Sequence, residues 1–154
     1  MNSLQNGSNF CNTKEVFLGL DLGEKTLGIA ISHFGIIAQK LKTIMFTAHQ
    51  YQELLKPLKK IIDEFKVKTI VLGQPKHMNN DIGIKATISI LFKKQIQKFC
   101  DSVEIILWDE RLSTKQAQII IKTFHKKKDT KKLKDEIAAT IILQNFLNYR
   151  NNFK

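Results

Sequence analysis

The chain has 154 residues, 43% hydrophobic and 25% charged, which fits one soluble domain with its own core. Lysine and arginine together number 25 against 14 aspartates and glutamates, and the net charge of +11 favours a polyanionic partner such as nucleic acid. The alternative explanation of this positive charge is a genome whose composition favours lysine. No apolar run approaches the ~20 residues of a membrane span, so we expect a cytoplasmic protein with no membrane partner.

The N-terminal segment and the two cysteines offer no candidate functional site. Residues 1–14 are polar and rich in Asn, Ser and Gly, so we expect a flexible tail followed by a single domain over residues 15–150. Cys11 and Cys100 have no metal-like spacing, and we expect two reduced thiols, with Cys100 in the core.

Three strands are predicted first. Residues 16–22 form an almost continuous apolar run, residues 26–32 alternate between large and small side chains, and residues 36–44 follow a turn at 33–35. The connections between these strands are short. An antiparallel meander is therefore expected.

Helices and strands alternate in the rest of the chain. The predicted elements are a helix from Tyr51 to Phe65, a strand at 67–72, a helix at 83–100, a strand at 103–108, a helix opened by the Ser113–Gln116 capping box and a helix at 135–149. Pro57 should kink the first helix or mark a late start. A lysine-rich connector at 125–134 precedes the last helix.

These elements predict an α/β fold. Strands that are separated by helices should be parallel with right-handed crossovers. The sequence therefore indicates a mixed five-stranded sheet flanked by helices, with three antiparallel strands followed by parallel ones. The buried face of the second helix is expected to comprise Ile84, Ile88, Leu91, Phe92 and Phe99.

Three acids are placed where these elements should meet. Asp21 interrupts the apolar first strand, and a buried carboxylate is costly unless a partner or a metal ion compensates it. Glu110 follows the fifth strand, and ligands of open sheets gather at the carboxyl ends of strands. Asp135 is in phase with Ala138, Ala139 and the apolar stripe of the last helix, so it should face the sheet.

Three converging carboxylates suit a hard divalent cation, Mg²⁺ or Mn²⁺, and phosphodiester hydrolysis. In this hypothesis Asp21 bridges the metal ions while Glu110 and Asp135 each hold one. Each acid also has a structural explanation. Asp21 could serve a tight turn, Glu110 could pair with Arg111, and Asp135 could stabilise a helix N-terminus.

Several motifs together resemble the YqgF/RuvX family. They are Gly19-Leu20-Asp21-Leu22-Gly23 with Lys25, Gly28 and Ala30, then Gly73-Gln74-Pro75, then Asp109-Glu110-Arg111-Leu112-Ser113-Thr114, then Asp135 with Ala138-Ala139. The resemblance implies a ribonuclease H-like fold and a metal-dependent endonuclease with Asp21, Glu110 and Asp135 as its catalytic and metal-binding acids. It further implies maturation of the 5′ end of pre-16S ribosomal RNA, or resolution of Holliday junctions in branched DNA.

Polar residues around the acids are candidates for substrate binding. They are Lys25, Gln74, Lys76, Asn79, Arg111, Lys131 and Lys132. Solvated lysines and an Arg111 that orients Glu110 are the alternatives. No aromatic side chains are interleaved with the lysines, so we expect recognition of RNA by shape and backbone.

Other functions stay open from the sequence. The chain could be a catalytically silent nucleic-acid-binding module of the same fold. The segment from Asp21 to Thr26 with Gly28 also resembles the first phosphate loop of actin-like ATPases, although 154 residues leave no room for their second lobe. A monomer or a weak homodimer is expected.

Overall fold

The computed structural model describes residues 14–74, 80–110 and 131–152, with the backbone alone at 80–82 and 131–135. The elements are β1 (Phe17–Leu22), β2 (Thr26–Ser32), β3 (Gln39–Met45), a 3-10 turn (Tyr51–Leu54), α1 (Leu55–Phe65), β4 (Thr69–Gln74), α2 (Asn80–Phe99), β5 (Glu104–Asp109) and α3 (Lys131–Asn152). No helix in these ranges is both long and apolar enough to cross a membrane.

Within the described ranges the strands form one sheet in the order β3-β2-β1-β4-β5. β1 pairs antiparallel with β2, and β2 pairs antiparallel with β3. β1 and β5 both pair parallel with β4. The predicted meander and the predicted mixed five-stranded sheet are confirmed.

The sheet has a different core on each face, because successive side chains of a strand point to opposite sides. Leu18 and Leu20 of β1 pack with Leu58 of α1 and Phe92 of α2. Phe17 of β1 belongs instead to a second cluster, which it forms with residues of β4, β5 and α3. The other members of that cluster include Ala30 of β2 and Val71, Trp108, Ala139, Ile142, Leu143, Phe146 and Leu147. Among the described helices, α3 is the one that covers this face of the sheet.

The bounds of several elements differ from those predicted. β3 begins at Gln39 rather than at residue 36, and Ile36 and Ile37 are exposed. β4 continues through Gln74 because its last two residues pair with the end of β5. α1 begins late, at Leu55, as the position of Pro57 allowed, since the first turn of a helix does not need the missing N–H. The helix predicted after Ser113 lies outside the described residues.

The start of α3 also corrects the prediction. The helix begins at Lys131 instead of residue 135, so Lys131 and Lys132 belong to its first turn and not to a connector. Lysine is a good helix former, and its charge did not prevent the helix from extending.

The buried face of α2 is narrower than predicted. Phe92 is buried, but Ile84 and Leu91 are 60% and 54% exposed. Phe99 is 39% exposed as well, and the buried side chains among those described in α2 are Ser89, Phe92 and Ile96; Cys100, directly after the helix, is also buried. Ser89 is tolerated there because its hydroxyl donates a hydrogen bond to the carbonyl oxygen of Lys85 at 3.2 Å. Burial raises the pKa of the free Cys100 thiol, which is the core thiol expected.

Hydrogen bonds attach the C-terminal half of α3 to the turn between β2 and β3. The Gln144 side chain accepts from the Ala38 amide at 2.8 Å and donates to the Ile36 carbonyl at 3.0 Å. The Asn151 amide donates to the Gly35 carbonyl at 3.1 Å. These bonds fix the helix along its axis, and so they fix its N-terminal half over the carboxyl ends of β1 and β4.

Gly19 lets α3 approach β1 closely. A Cβ at this position would lie 2.6 Å from Leu143 Cβ and 2.8 Å from the Ala139 carbonyl oxygen. Both atoms belong to the helix at or next to its backbone, so neither can move aside by a rotamer change. The helix would have to lift from the sheet to accommodate any side chain.

We expect Gly19→Ala to lower the free energy of unfolding by about 1–3 kcal/mol, the usual cost of overpacking. Gly83→Ala is the matched control, because nothing lies within 4 Å of a Cβ there and α2 should gain about 0.5–1 kcal/mol from the better helix former. Urea unfolding of both variants measures the difference. Equal stability of the two would contradict the close packing of α3.

Candidate active site

Asp21 and Glu110 come from different strands but face the same side of the sheet. Asp21 follows Phe17 and Gly19 on the α3 side of β1, and Glu110 follows Trp108 at the end of β5. Both side chains are partly buried and line one cavity of about 240 Å³. Its lining residues are Asp21, Trp108, Glu110, Ala138, Ile141, Ile142 and Asn145. The predicted proximity of these two acids is found.

Glu110 is held by the neighbouring strand. Its amide N–H donates to the Gln74 carbonyl at 3.2 Å, which continues the pairing of β4 and β5 by one residue. Its carboxylate occupies the space that a side chain at Gly73 would need, since a Cβ there would lie 2.7 Å from Glu110 Oε1. The same Cβ would lie 2.5 Å from Ile142 Cδ1. Gly73 therefore leaves room for the Glu110 carboxylate and for the tip of the Ile142 side chain.

Asp135 lies on the part of α3 that approaches the cavity. It precedes Ala138 by three residues, about 4.5 Å along the helix axis. Its side chain lies outside the description. Among the described side chains, no group of three His, Cys, Asp or Glu residues is arranged to hold a metal ion. The structure thus brings two predicted acids to one cavity and places the backbone of the third near it.

Asn145 lines the same cavity and was not predicted. It is 5% exposed and lies two helical turns after Ala138, on the stripe of α3 that packs against the sheet. A buried amide on an apolar helix face needs hydrogen-bond partners. This mismatch between a polar residue and the apolar stripe was visible in the sequence and could have identified it.

The predicted substrate-binding residues have different outcomes. Lys25 is exposed in the turn between β1 and β2. Gln74, predicted to bind substrate beside the acids, is 7% exposed, and alternation with Gly73 turns its side chain to the opposite face of the sheet. Lys76, Asn79 and Arg111 lie outside the described residues. The side chains of Lys131 and Lys132 do too.

The donor set of the cavity fits a hard cation. Its described ionisable side chains are two carboxylates, and its described lining contains neither a thiol nor an imidazole. Oxygen ligands suit Mg²⁺ or Mn²⁺ rather than zinc. The Glu110 carboxylate fills the space over Gly73. A charged group therefore occupies a place at this edge of the sheet where a side chain at position 73 would otherwise lie.

A comparison with protein families places the chain. A family model described as "RuvX: Holliday junction resolvase" matches residues 15–149. The chain belongs to the RuvX family. Among curated RuvX relatives, a "Putative pre-16S rRNA nuclease" of Onion yellows phytoplasma (strain OY-M) is 64% identical, with 86% of this chain and 88% of that protein covered. A protein of the same name from Staphylococcus epidermidis is 42% identical, with 87% and 96% covered.

A solved structure shows the fold. RuvC of T. thermophilus in complex with a Holliday junction substrate matches with a TM-score of 0.60 at 16% identity, covering 89% of this chain and 96% of that one. At this identity the likeness concerns the fold alone. The predicted family and the predicted ribonuclease H-like fold are confirmed.

We expect Gly73→Ala to displace the Glu110 carboxylate and so to weaken binding of Mn²⁺ about 10- to 100-fold, the usual effect of disturbing the support of a metal ligand. The measurement is the rise in melting temperature with increasing MnCl₂ for the variant and the parent chain. Gly83→Ala serves as the control, because it lies in the open. An unchanged metal response in Gly73→Ala would show that Glu110 does not depend on this space.

Proposed function

We propose that this RuvX protein is a divalent-metal-dependent endonuclease that matures the 5′ end of pre-16S ribosomal RNA. One observation carries the proposal: Asp21 in β1 and Glu110 directly after β5 line the same cavity on the α3 face of the sheet. The names of the curated relatives support the reaction and the substrate. The net charge of +11 supports a nucleic acid as the partner.

In this mechanism Asp21, Glu110 and Asp135 would hold Mg²⁺ or Mn²⁺ at the edge of the sheet. When bound, the cation activates a water nucleophile and stabilises the charge on the leaving oxygen. The carboxylates keep their positions because one belongs to a paired strand and the other is bonded through its amide to β4. Trp108 and Ile142 form an apolar wall that limits bulk water and strengthens the electrostatic interactions inside.

Positive side chains outside the cavity would bring the RNA backbone to it. Lys25 is exposed in the turn between β1 and β2, four residues after Asp21. Lys76, Asn79, Arg111, Lys131 and Lys132 complete the proposed contacts. Gln74, which is buried on the other face, is proposed as a support of Glu110 through its backbone. We place the protein in the bacterial cytoplasm, as a monomer or a weak homodimer.

We expect Asp21→Asn and Glu110→Gln each to lower kcat on precursor RNA by about 100-fold or more, since a catalytic metal contributes several kcal/mol. Asp101→Asn and Glu104→Gln are matched controls, because both acids are exposed at the other end of β5. Chelation by EDTA should abolish cleavage, and Mg²⁺ or Mn²⁺ should restore it. Full activity of Asp21→Asn would refute the proposal.

A second candidate substrate is a four-way DNA junction, which the description of the matching family model favours. We expect the purified protein to cleave precursor RNA at least about 10-fold faster than the junction, a difference of about 1.4 kcal/mol in the barrier. Both substrates are assayed in parallel with Mg²⁺ and Mn²⁺. Faster cleavage of the junction would favour resolution, and binding without any cleavage would indicate a silent module.

A further inference from the structure

A second pocket opens at the same edge of the sheet but on its other face. It has a volume of about 350 Å³, at the small end of the range for ligand sites. We call it the Tyr51 pocket; its lining residues are Leu22, Gly23, Glu24, His49, Tyr51, Ile84, Lys85, Ile88 and Ser89. The proposed mechanism uses none of them.

β1 joins the two sites. Asp21 and Leu22 are consecutive residues, with Cα atoms about 3.8 Å apart, and their side chains point to opposite faces. Asp21 lines the cavity under α3, and Leu22 lines the Tyr51 pocket beside α2. The two sites are therefore joined by consecutive residues of one strand, within a distance that a single nucleic-acid strand can span.

Aromatic and apolar side chains form the walls of this pocket. The His49 and Tyr51 rings meet edge to face with centroids 6.5 Å apart. Tyr51 is fixed from behind by Phe46 at 5.5 Å and Phe92 at 6.5 Å. Ile84, which also lines the pocket, is 60% exposed. A rigid ring beside exposed apolar surface is what a flat heterocycle stacks on.

Polar groups lie at the rim of the pocket. The Lys85 side chain is exposed there and offers a cation to a phosphate. Glu24 Oε1 lies 3.8 Å from His49 Nε2, and both side chains are more than half exposed. His49 has a φ of 66°, an uncommon conformation for a residue other than glycine. The fold thus holds an aromatic ring at the rim at a cost in backbone energy.

We propose that the Tyr51 pocket binds one unpaired nucleobase of the RNA strand, within three nucleotides of the scissile phosphate. The inference rests on the proposed function and adds a base contact to a site otherwise expected to bind backbone. The base stacks against His49 and Tyr51 and contacts Ile84, and Lys85 faces the phosphate of the same nucleotide. Single-stranded RNA with unstacked bases is the substrate form that such pockets recognise.

Two pairs of variants separate stacking from stability. His49→Gly removes the ring and relieves the positive φ, and Lys66→Gly relieves a φ of 54° at the end of α1 without touching the pocket. Ile84→Ala trims the pocket wall, and Ile90→Ala trims another partly exposed position of α2. All four changes are at exposed or strained positions, so the folded chain should persist in each.

The substrate carries the second half of the test. Precursor RNAs with one abasic nucleotide at each of the three positions on either side of the cleaved bond are assayed for kcat/KM. One abasic position should slow the parent chain about 5- to 150-fold, the equivalent of one stacked base. The same position should have much less effect on His49→Gly and Ile84→Ala, because the contact is already lost. Lys66→Gly and Ile90→Ala should behave like the parent chain.

Binding measurements distinguish failure of this inference from failure of the proposed function. The same abasic RNAs are titrated against Asp21→Asn by fluorescence anisotropy, with free nucleoside monophosphates as competitors. Cleavage with equal abasic penalties in all variants would overturn the pocket and leave the nuclease intact. An abasic effect on binding without any cleavage by the parent chain would support the pocket and overturn the nuclease. Displacement of the RNA by free nucleotides that bind as tightly as the RNA itself would overturn the inference, because the pocket would then be a nucleotide site independent of the strand.

Discussion

The close approach of α3 to the sheet is the constraint on which the rest of this structure depends. Glycines at two neighbouring strands, Gly19 on β1 and Gly73 on β4, leave no side chain between the strands and the helix. As a result α3 lies low enough for Ala138 and Ile142 to close the cavity that contains Asp21 and Glu110. A larger separation would leave the same carboxylates on an open, hydrated edge, where their interaction with a cation would be weaker.

The polar residues of this face make sense only as a group. Asp21 lies on a side of β1 otherwise formed by Phe17 and Gly19, and Asn145 lies on the apolar stripe of α3. Each is costly to bury by itself, and apolar side chains would pack better at either position. Their convergence with Glu110 on one cavity is difficult to explain as a device for stability. It is the arrangement expected where a site keeps polar groups inside a core.

Features that follow from local periodicity could be predicted from the sequence, and features that depend on distances between remote elements could not. The period of two in β2 and the phase of Asp135 with Ala138 follow from local geometry, so the meander and the orientation of α3 were predictable. The role of Gly73 was not, because it depends on the distance between two elements far apart in the chain. The face of α2 was mistaken for the same reason: apolar residues such as Leu91 fill more of its circumference than the neighbouring elements cover.

The exposed part of α2 borders a pocket that β1 connects to the cavity on the other face of the sheet. An enzyme that needed only to hold a metal ion and a phosphate could end its structure at the α3 face. Here β1 carries the Asp21 carboxylate on one face, and the next residue, Leu22, lines the Tyr51 pocket on the other face. Since alternation in a strand is obligatory, a phosphate bound at Asp21 and a base bound beside Leu22 are held at a fixed separation. In the proposed complex, β1 would set the distance between the phosphate at Asp21 and the base in the Tyr51 pocket without any movement of the fold.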